Sequence, residues 1–537
     1  MYESLVTVGP DRHKSHAASR PSACAQGTAM LALPPQRMTM QNGTRLAAVD
    51  LGSNSFRLEI GRYDHGQFVR SEYLKETVRQ GGGLDADRKL TPEAMQRGWD
   101  CLARFGERIA GFQIGEVRAV ATQTLREARN RDEFLATATA VLGFPIDVIS
   151  GREEARLIYQ GVAHSLPQSD EKRLVIDIGG RSTELILGQG FTPRVMESYR
   201  VGSIAWSTRY FPEGKFTARA FEMAEIAAQA VLDEVRSVYP RDAWSTAYGS
   251  AGTVGAVVDV LIAAGWPAGR ITREGLDWLM DRLLKAQSAD KLRIDGMRDD
   301  RRAIIGGGLS ILRALFDLFE LNEMEQATGG LRHGLINDLM ERALDQTDLR
   351  SASIDRLAIK FAVDAQQATR VGAVAIQLFT QLAGREGEQA ERGQRKLAWA
   401  AQLHEIGLRI SHSEYHKHGA YILEHADAMG FALTEMHHLG QLVLGHRGKL
   451  RKLDVQLNDL GFVSQLLALR VAVILCHARR DPDTAGLNLS VCPDQDDCFV
   501  LSCRSGWPES FPQSAHLLRE EVEAWSKTPW TLRLKNV

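Results

Sequence analysis

Two hexapeptides constrain this chain more than any other feature. Asp50-Leu51-Gly52-Ser53-Asn54-Ser55 and Asp177-Ile178-Gly179-Gly180-Arg181-Ser182 share the pattern Asp-apolar-Gly-x-x-Ser. Each ends an apolar run, RLAAVD at 45–50 or RLVIDI at 173–178. Two more strand-like runs follow each, at 56–63 and 67–75 in the first case and at 183–188 and 194–201 in the second. One such hexamer would say little. Two, at the same place in matching three-strand meanders, argue for an internal duplication. The first meander leads into a predicted helix over 91–111 with Pro92 in its first turn, a strand at 116–121, a helix at 131–142, a strand at 145–149 and a helix from 151. The second leads into a helix at 217–238, a strand at 245–249, and helices from 253, at 273–286 and at 300–319. Strands alternating with helices predict an α/β layer fold.

Beyond about 345 the strand signals fade. Helices are predicted at 351–385, 393–410, 416–428, 433–446 and 459–479, and short β-like runs with a helix at 513–525 close the chain. The expected organisation is a tail over 1–44, α/β halves over 45–157 and 158–345, a helical domain over 346–482, and a small α+β domain over 483–537. A chain of 537 residues accommodates these units. The tail carries Arg12, Lys14, Arg20 and Arg37 among Ser, Pro and Ala, and reads either as disordered or as sequence upstream of a true start at Met38 or Met40. A net charge of −2 excludes a global basic field, so no nucleic-acid partner is expected and any polyanion site is a local patch. No apolar run approaches the roughly 20 residues of a membrane helix. Six cysteines do not make a disulfide framework in a chain this long. Cys492, Cys498 and Cys503 are expected as buried thiols, and the reducing cytoplasm as the compartment.

Phosphate is commonly held by main-chain N–H groups in tight Gly/Ser turns, where glycine lets the chain approach and the N–H dipoles converge. The two hexamers have that composition. Gly249-Ser250-Ala251-Gly252-Thr253 is a third such turn, between a strand and a helix, and Gly329-Gly330-Leu331-Arg332-His333-Gly334 is a fourth, opening another helix. Singly, each is equally well an ordinary turn; four in one duplicated fold point to an anion cleft.

The strings VDLGSNSF, SGREEARLIYQG, VIDIGGRSTEL, YGSAGT and GGLRHG, in this order, resemble the exopolyphosphatase/guanosine pentaphosphate phosphohydrolase family, and LHEIGLRISHSEYHKHGAYIL extends the likeness through the helical part. The resemblance implies a duplicated actin-like (sugar-kinase, ribonuclease H-like) pair of domains with the active site between them, a degenerate HD-like helical domain, and a homodimer. It implies Glu154 as general base. In Ser150-Gly151-Arg152-Glu153 the spacing is that of a capping box, which would occupy Glu153 at the helix start and leave Glu154 free to face the cleft. A carboxylate there can orient and deprotonate the attacking water. Asp177 and Glu184 match the family's acidic pair and suit Mg²⁺, with Asp50 in support. A monovalent cation such as K⁺ is a further cofactor that the resemblance leaves open. Phosphate contacts are expected at Gly52, Ser53, Asn54, Ser55, Gly179, Gly180, Ser182, Thr183, Ser250, Gly252 and Thr253. Arg126 is expected to grip phosphate through a bidentate fork, or else to sit in a surface ion pair.

The sequence departs from the family at Arg181, where the second turn usually carries a third glycine. Arg181 either strains the turn, if positive φ is needed, or adds a charge beside the phosphates. The helical part is rich in histidine, and His404-Glu405 stands where a metal-dependent domain of the HD type would show His-Asp. The neighbouring helices offer no residues to complete a ligand set, so a scaffold is expected. Arg447, Lys449, Arg451 and Lys452 form a basic run that reads as a solvated face or as a track for a long polyanion. The function these features predict is Mg²⁺-dependent, processive removal of terminal phosphate from inorganic polyphosphate, with hydrolysis of the 5′ terminal phosphate of guanosine pentaphosphate as the alternative. Phosphotransfer to a nucleotide, or polyphosphate binding without catalysis, are further readings of the same fold.

Overall fold

The computed structural model describes residues 40–344, 349–383, 387–453, 456–493 and 495–537. Most of the predicted tail lies outside them. Residues 40–344 build two mixed sheets. The first contains β1 (Arg45–Leu51), β2 (Phe56–Asp64), β3 (Gln67–Glu76), β4 (Val117–Ala121) and β5 (Ile146–Val148) in the order β3-β2-β1-β4-β5. The second contains β6 (Lys172–Ile178), β7 (Thr183–Gln189), β8 (Thr192–Tyr199), β9 (Thr246–Ser250), β10 (Arg270–Thr272) and β11 (Glu323–Gln326) in the order β10-β11-β9-β6-β7-β8. Read from the meander, β8-β7-β6-β9-β11 repeats β3-β2-β1-β4-β5, including which pairs run parallel, and β10 is an antiparallel addition at one edge. This is the duplicated actin-like fold. The sequence pattern misses β10, β11 and the short helices Gln123–Glu127 and Ser203–Tyr210, which are too brief to show a period. It also runs Ala218–Val231 and Val235–Val238 together as one helix.

Alternation along the central strands sends side chains to two different cores. Ala47, Val49 and Leu51 of β1 pack under helices Pro92–Ile109 and Arg131–Leu142, while Leu46 and Ala48 face the other way. In β6, Leu174, Ile176 and Ile178 join the core beneath helix Ile305–Leu318, and Val175 faces the other way. On those second faces two helices change places. Helix Gly151–Ser165 follows the first sheet in sequence but packs on the second, through Ala155, Ile158, Tyr159 and Val162. Helix Leu331–Leu344 follows the second sheet but packs on the first, through Leu335, Ile336 and Leu339. The two helices touch where they cross, and a Cβ at Gly161 or Gly334 would run into the facing main chain. Glycine at these positions sets the crossing distance.

The crossing is also an ionic node. Arg156 donates to both oxygens of Glu153 at 2.8 Å and to Asp338 at 2.8 Å, and Arg342 donates to Asp338 at 2.7 Å. Glu153 also accepts the main-chain N–H of Gly430, from the helical domain, at 2.9 Å. This corrects the capping-box reading. Ser150 does cap the helix, its hydroxyl accepting from the N–H of Glu153 at 3.1 Å, but the Glu153 carboxylate turns to Arg156 and Gly430 instead of returning to the cap. A nearby guanidinium outcompetes a neutral N–H as its partner.

From Leu349 the chain is helical, with the predicted 351–385 helix divided into Leu349–Lys360 and Ala365–Ala383. The imidazoles of His404, His416 and His446 cluster beside Tyr415, with His446 edge on to the other two, and burial lowers all three histidine pKa values. Glu405 is tied to Arg479 at 2.6 Å. A three-stranded sheet, β12 (Asn488–Cys492), β13 (Gln495–Ser502) and β14 (Thr531–Lys535), shares one apolar core with these helices. Cys492 and Cys498 are joined by a disulfide across the β12–β13 hairpin, their Cα atoms 5.2 Å apart; the expectation of free thiols holds only for Cys503. Antiparallel pairing brings the two sulfurs together, a proximity that their spacing alone does not show. No helix of the described residues is long and apolar enough to cross a membrane.

The node generates a stability prediction. Burial raises the Asp338 carboxyl pKa, but Arg342, Arg156 and Arg118 outweigh it and hold the group well below the usual range. A depressed acid stabilises the fold above its unfolded pKa of about 4 and loses that contribution as pH falls through the folded value. Asp338→Asn should therefore cost roughly 3–5 kcal/mol at pH 7, since it strands buried guanidinium groups. Urea unfolding at pH 7 checks this; an unchanged midpoint would show the node to be dispensable.

Candidate active site

In open α/β sheets the chemistry gathers beyond the carboxyl ends of parallel strands. Here six such ends deliver the predicted residues. Asp50 lies near the end of β1; Arg126 follows β4, Glu154 follows β5, and Asp177 lies near the end of β6. Ser250 ends β9, and Gly329 follows β11. Asp50 shares the strand face of Ala48, and Asp177 that of Val175, so both look toward the exchanged helices. Glu154 is in the first turn of one of these helices.

Asp50, Glu154, Asp177 and Glu184 are all buried and crowd one another. Burial pushes the Asp177 carboxyl up to about 7, with the charges of Glu154 and Asp50 adding to the rise and Ser250 and Arg57 opposing it. Burial, then the charges of Glu154 and Asp177, push Glu184 well above the carboxylate range, although Ser198 donates to its Oε1 at 2.7 Å. Burial also raises Glu154, against the pull of Arg126. Asp50 Oδ1 is buried and has no partner among the described residues. Such a set suits a hard divalent cation, which would relieve the crowding and use the orphaned oxygen. Among the described residues no three acids, cysteines or histidines close on one point, so oxygens from outside the protein would have to complete the ion's shell.

The duplication explains one residue that the sequence reading missed. Asp177 pairs with Glu184 across the β6–β7 hairpin, and Asp50 pairs in the same register with Arg57 across β1–β2. The same position, seven residues after the aspartate, is thus an acid in one half and a base in the other. Arg57 donates to Asp50 Oδ2 at 2.8 Å. Lys75 and Arg301 were missed as well. Arg301 is buried with its guanidinium against Gly252, where any side chain would collide with it. Burial, with repulsion from Arg57 and Arg298, lowers its pKa, and burial with repulsion from Arg301 and Arg298 lowers that of Lys75. No motif marks these two; only folding collects them.

The turns themselves are near copies. A Cβ at Gly52 would meet the Ser55 carbonyl at 3.0 Å, and one at Gly179 would meet the Ser182 carbonyl at 3.0 Å. The two turns face each other, with Gly180 against Ser53. Several hydroxyl protons are spent inside the protein: Thr183 donates to Val201 O at 2.6 Å, Thr253 to Ile178 O at 3.1 Å and Ser250 to Gly329 O at 2.9 Å. What these residues can offer phosphate is their main-chain N–H. Ser53 accepts from Thr124 at 2.8 Å, and Asn54 donates to Ser55 at 3.4 Å. Arg126 gives two N–H groups to Gln123 Oε1 at 2.9 and 2.6 Å, one to Ile149 O at 3.0 Å and one to Glu154 Oε2 at 2.7 Å. One Nη2 N–H remains for a substrate, not the pair that a fork needs.

Arg181 is absent from the positive-φ residues, so its turn is unstrained, and its guanidinium turns away to Glu127. Arg447, Lys449 and Arg451 are exposed, whereas Lys452 is half-buried near Arg470 and Lys417. A pocket of about 250 Å³ is lined by Glu153, not Glu154, together with Arg152, Met196, Asp427 and Met429. It belongs to the seam with the helical domain.

Facing glycine turns, a carboxylate cluster and nearby cations at the strand ends of an actin-like fold have the chemistry that a phosphoryl-handling site requires. Comparison with known proteins narrows the class. The profile of the Ppx/GppA phosphatase family matches residues 60–343, and that of Ppx/GppA phosphatase domain III matches residues 349–523. A guanosine-5′-triphosphate,3′-diphosphate pyrophosphatase of Vibrio cholerae serotype O1 is 36% identical over 491 residues, covering 91% of this chain and 98% of the relative. The protein of the same description from Pseudoalteromonas translucida is 37% identical, covering 90% and 97%. The crystal structure of an exopolyphosphatase from Cytophaga hutchinsonii superposes with a TM-score of 0.50 at 22% identity, covering 56% of this chain and 97% of that one, a likeness of fold. The chain belongs to the Ppx/GppA phosphatase family.

The carboxylate crowding has a measurable cost. An acid whose folded pKa is raised binds its proton more tightly folded than unfolded, so it destabilises the fold above its folded pKa and ceases to do so below about pH 4. With divalent cations chelated, Asp177→Asn should raise stability at pH 8, by up to about 4 kcal/mol, and not at pH 3.5. Urea unfolding at the two pH values checks it; equal effects at both would contradict the electrostatic origin.

Proposed function

We propose that this chain hydrolyses the terminal phosphoanhydride of guanosine pentaphosphate. The observation that carries the reaction type is Glu154. It is buried at the strand ends, one carboxylate oxygen is held by Arg126, and Oε1 accepts no protein hydrogen bond among the described residues. That oxygen is an acceptor for a water. The water oxygen attacks the terminal phosphorus as the bridging P–O bond breaks, its proton passes to Glu154, and the nucleotide leaves with the bridging oxygen. Asp177 and Glu184, with Asp50 behind them, would hold Mg²⁺, which when bound neutralises phosphate charge. Arg57, Lys75 and Arg301 lie within electrostatic reach of one another, Arg57 paired with Asp50 and Lys75 with Asp300, and would offset charge on the nonreacting phosphates. The guanosine substrate is supported by the descriptions of relatives that align with nine-tenths of this chain.

Inorganic polyphosphate is a second reading, favoured by the exposed run Arg447, Lys449 and Arg451 in the helical domain. Phosphate release from guanosine pentaphosphate, tripolyphosphate and long polyphosphate at equal enzyme separates the two. Replacing the three exposed residues by Ala should weaken only the long polymer and flatten its salt dependence, because a short substrate never reaches them. Equal loss on all substrates would return the run to a structural role. Glu154→Gln should lower turnover by about 10²–10⁴-fold on any of them, and chelation of Mg²⁺ should abolish it. Glu154→Gln with near-normal turnover would remove the base from this account.

A further inference from the structure

Arg181 projects from the β6–β7 turn of the second half but ends in the first half. Its Nε and Nη2 donate to Glu127 Oε2 at 3.1 and 2.6 Å, and its Nη1 donates to Gly81 O at 3.1 Å. The contacts continue. Gln123 Nε2 donates to the other oxygen of Glu127 at 2.6 Å, Gln123 Oε1 receives both Nε and Nη2 of Arg126, and Arg126 Nη1 reaches Glu154 at 2.7 Å. An unbroken series of polar contacts thus joins the second glycine turn to the carboxylate proposed as the base. Its charged side chains are between 9% and 22% exposed, so water competes little for them.

We infer that Arg181 is a positioning residue for Glu154, acting across the cleft through Glu127, Gln123 and Arg126. The inference rests on the reading of Glu154 as the base. The logic is that of donors and acceptors. An ionised Glu127 can only accept, so the amide NH₂ of Gln123 must turn toward it and the amide oxygen toward Arg126. That oxygen fixes two N–H groups of Arg126 and aims a third at Glu154. Burial pushes the Glu127 pKa up, but Gln123 and Arg181, with the charge of Arg200, more than offset it, so the carboxylate stays ionised. Without Arg181, Glu127 loses its direct cation, and the amide loses the partner that dictates its orientation. A reversed amide would present donors to a guanidinium, pushing Arg126 away from Glu154.

Arg181 belongs to one half, and Gly81, Gln123 and Glu127 belong to the other, so the series spans both halves.

The test is steady-state kinetics on whichever of guanosine pentaphosphate and long polyphosphate the wild-type chain turns over, using Arg181→Ala, Arg181→Lys, Glu127→Gln and the double variant Arg181→Ala/Glu127→Gln. The expected result is a kcat roughly 10- to 100-fold lower for Arg181→Ala and for Glu127→Gln, the scale of a misaligned catalytic group, with KM little changed. Arg181→Lys should recover most of the loss, and the double variant should be no worse than the poorer single one. In a Glu154→Gln background, Arg181→Ala should cost nothing further. A raised KM with kcat retained would overturn the inference, since Arg181 would then be touching phosphate. Additive losses would overturn it too. Should Arg181→Ala fail to fold, Glu127→Gln and Arg181→Lys carry the same comparison. Failure of the base assignment shows separately, as turnover retained by Glu154→Gln alone.

Discussion

Four carboxylates that repel one another are held within one buried cleft, and this opposition organises the rest of the molecule. Two of them, Asp50 and Asp177, are fixed by the sheets, because each lies near the end of a central strand whose neighbours pair on both sides. Glu184 follows from the register of a hairpin. Glu154 arrives on a helix that belongs to one half by sequence and packs on the other, so its position depends on the exchanged pair of helices. Guanidinium groups make the assembly tolerable. Arg57 answers Asp50 and Arg126 answers Glu154, while Asp177 and Glu184 face each other and form no ion pair among the described residues. That is where an added divalent ion would gain most, and where a substrate phosphate would otherwise be refused.

The helical domain meets the start of the helix that carries Glu154 at several points, among them Glu153, the Arg152–Asp427 ion pair and a bridge between Ile149 and Ala432. Glu153, beside the proposed base, receives the Gly430 N–H and the Arg156 fork, so the first turn of the helix that carries Glu154 is clamped from behind. Ser353 donates to Met429 O at 2.9 Å and holds the same loop from the helical side. The helical domain thus contacts the first turn of the helix that carries Glu154. Losing the docking would loosen the helix start without touching any group in the cleft.

The duplication was legible because Asp-apolar-Gly-x-x-Ser recurs at the same strand ends, and the central strands were legible because they are apolar and bounded by turns. The acids came from motif and resemblance, since their spacing survives in the linear chain. Arg57 could have been found by laying one hexamer on the other and asking what stands opposite Glu184. Lys75 and Arg301 could not, because a strand end and a charged run become parts of the site only through long-range packing. The role of Glu153 was misjudged for a related reason: its partners, Arg156 and Gly430, include one that lies far along the chain. Arg181 left two readings open in the sequence, and the structure took neither. The turn is unstrained, and its charge goes to Glu127. The turns read as presenting main-chain N–H groups to phosphate, and in the fold the hydroxyls of Thr183, Ser250 and Thr253 donate within the protein.

The most direct test of this account is the fate of the water oxygen. Guanosine pentaphosphate hydrolysed by the chain in water enriched in oxygen-18, with the products analysed by mass spectrometry, reports which phosphorus is attacked and by what. Attack on the terminal phosphorus by a water relayed through Glu154 places one heavy oxygen in the released orthophosphate and none in the nucleotide. Heavy oxygen in the nucleotide, or release of pyrophosphate in place of orthophosphate, would contradict attack of water on the terminal phosphorus.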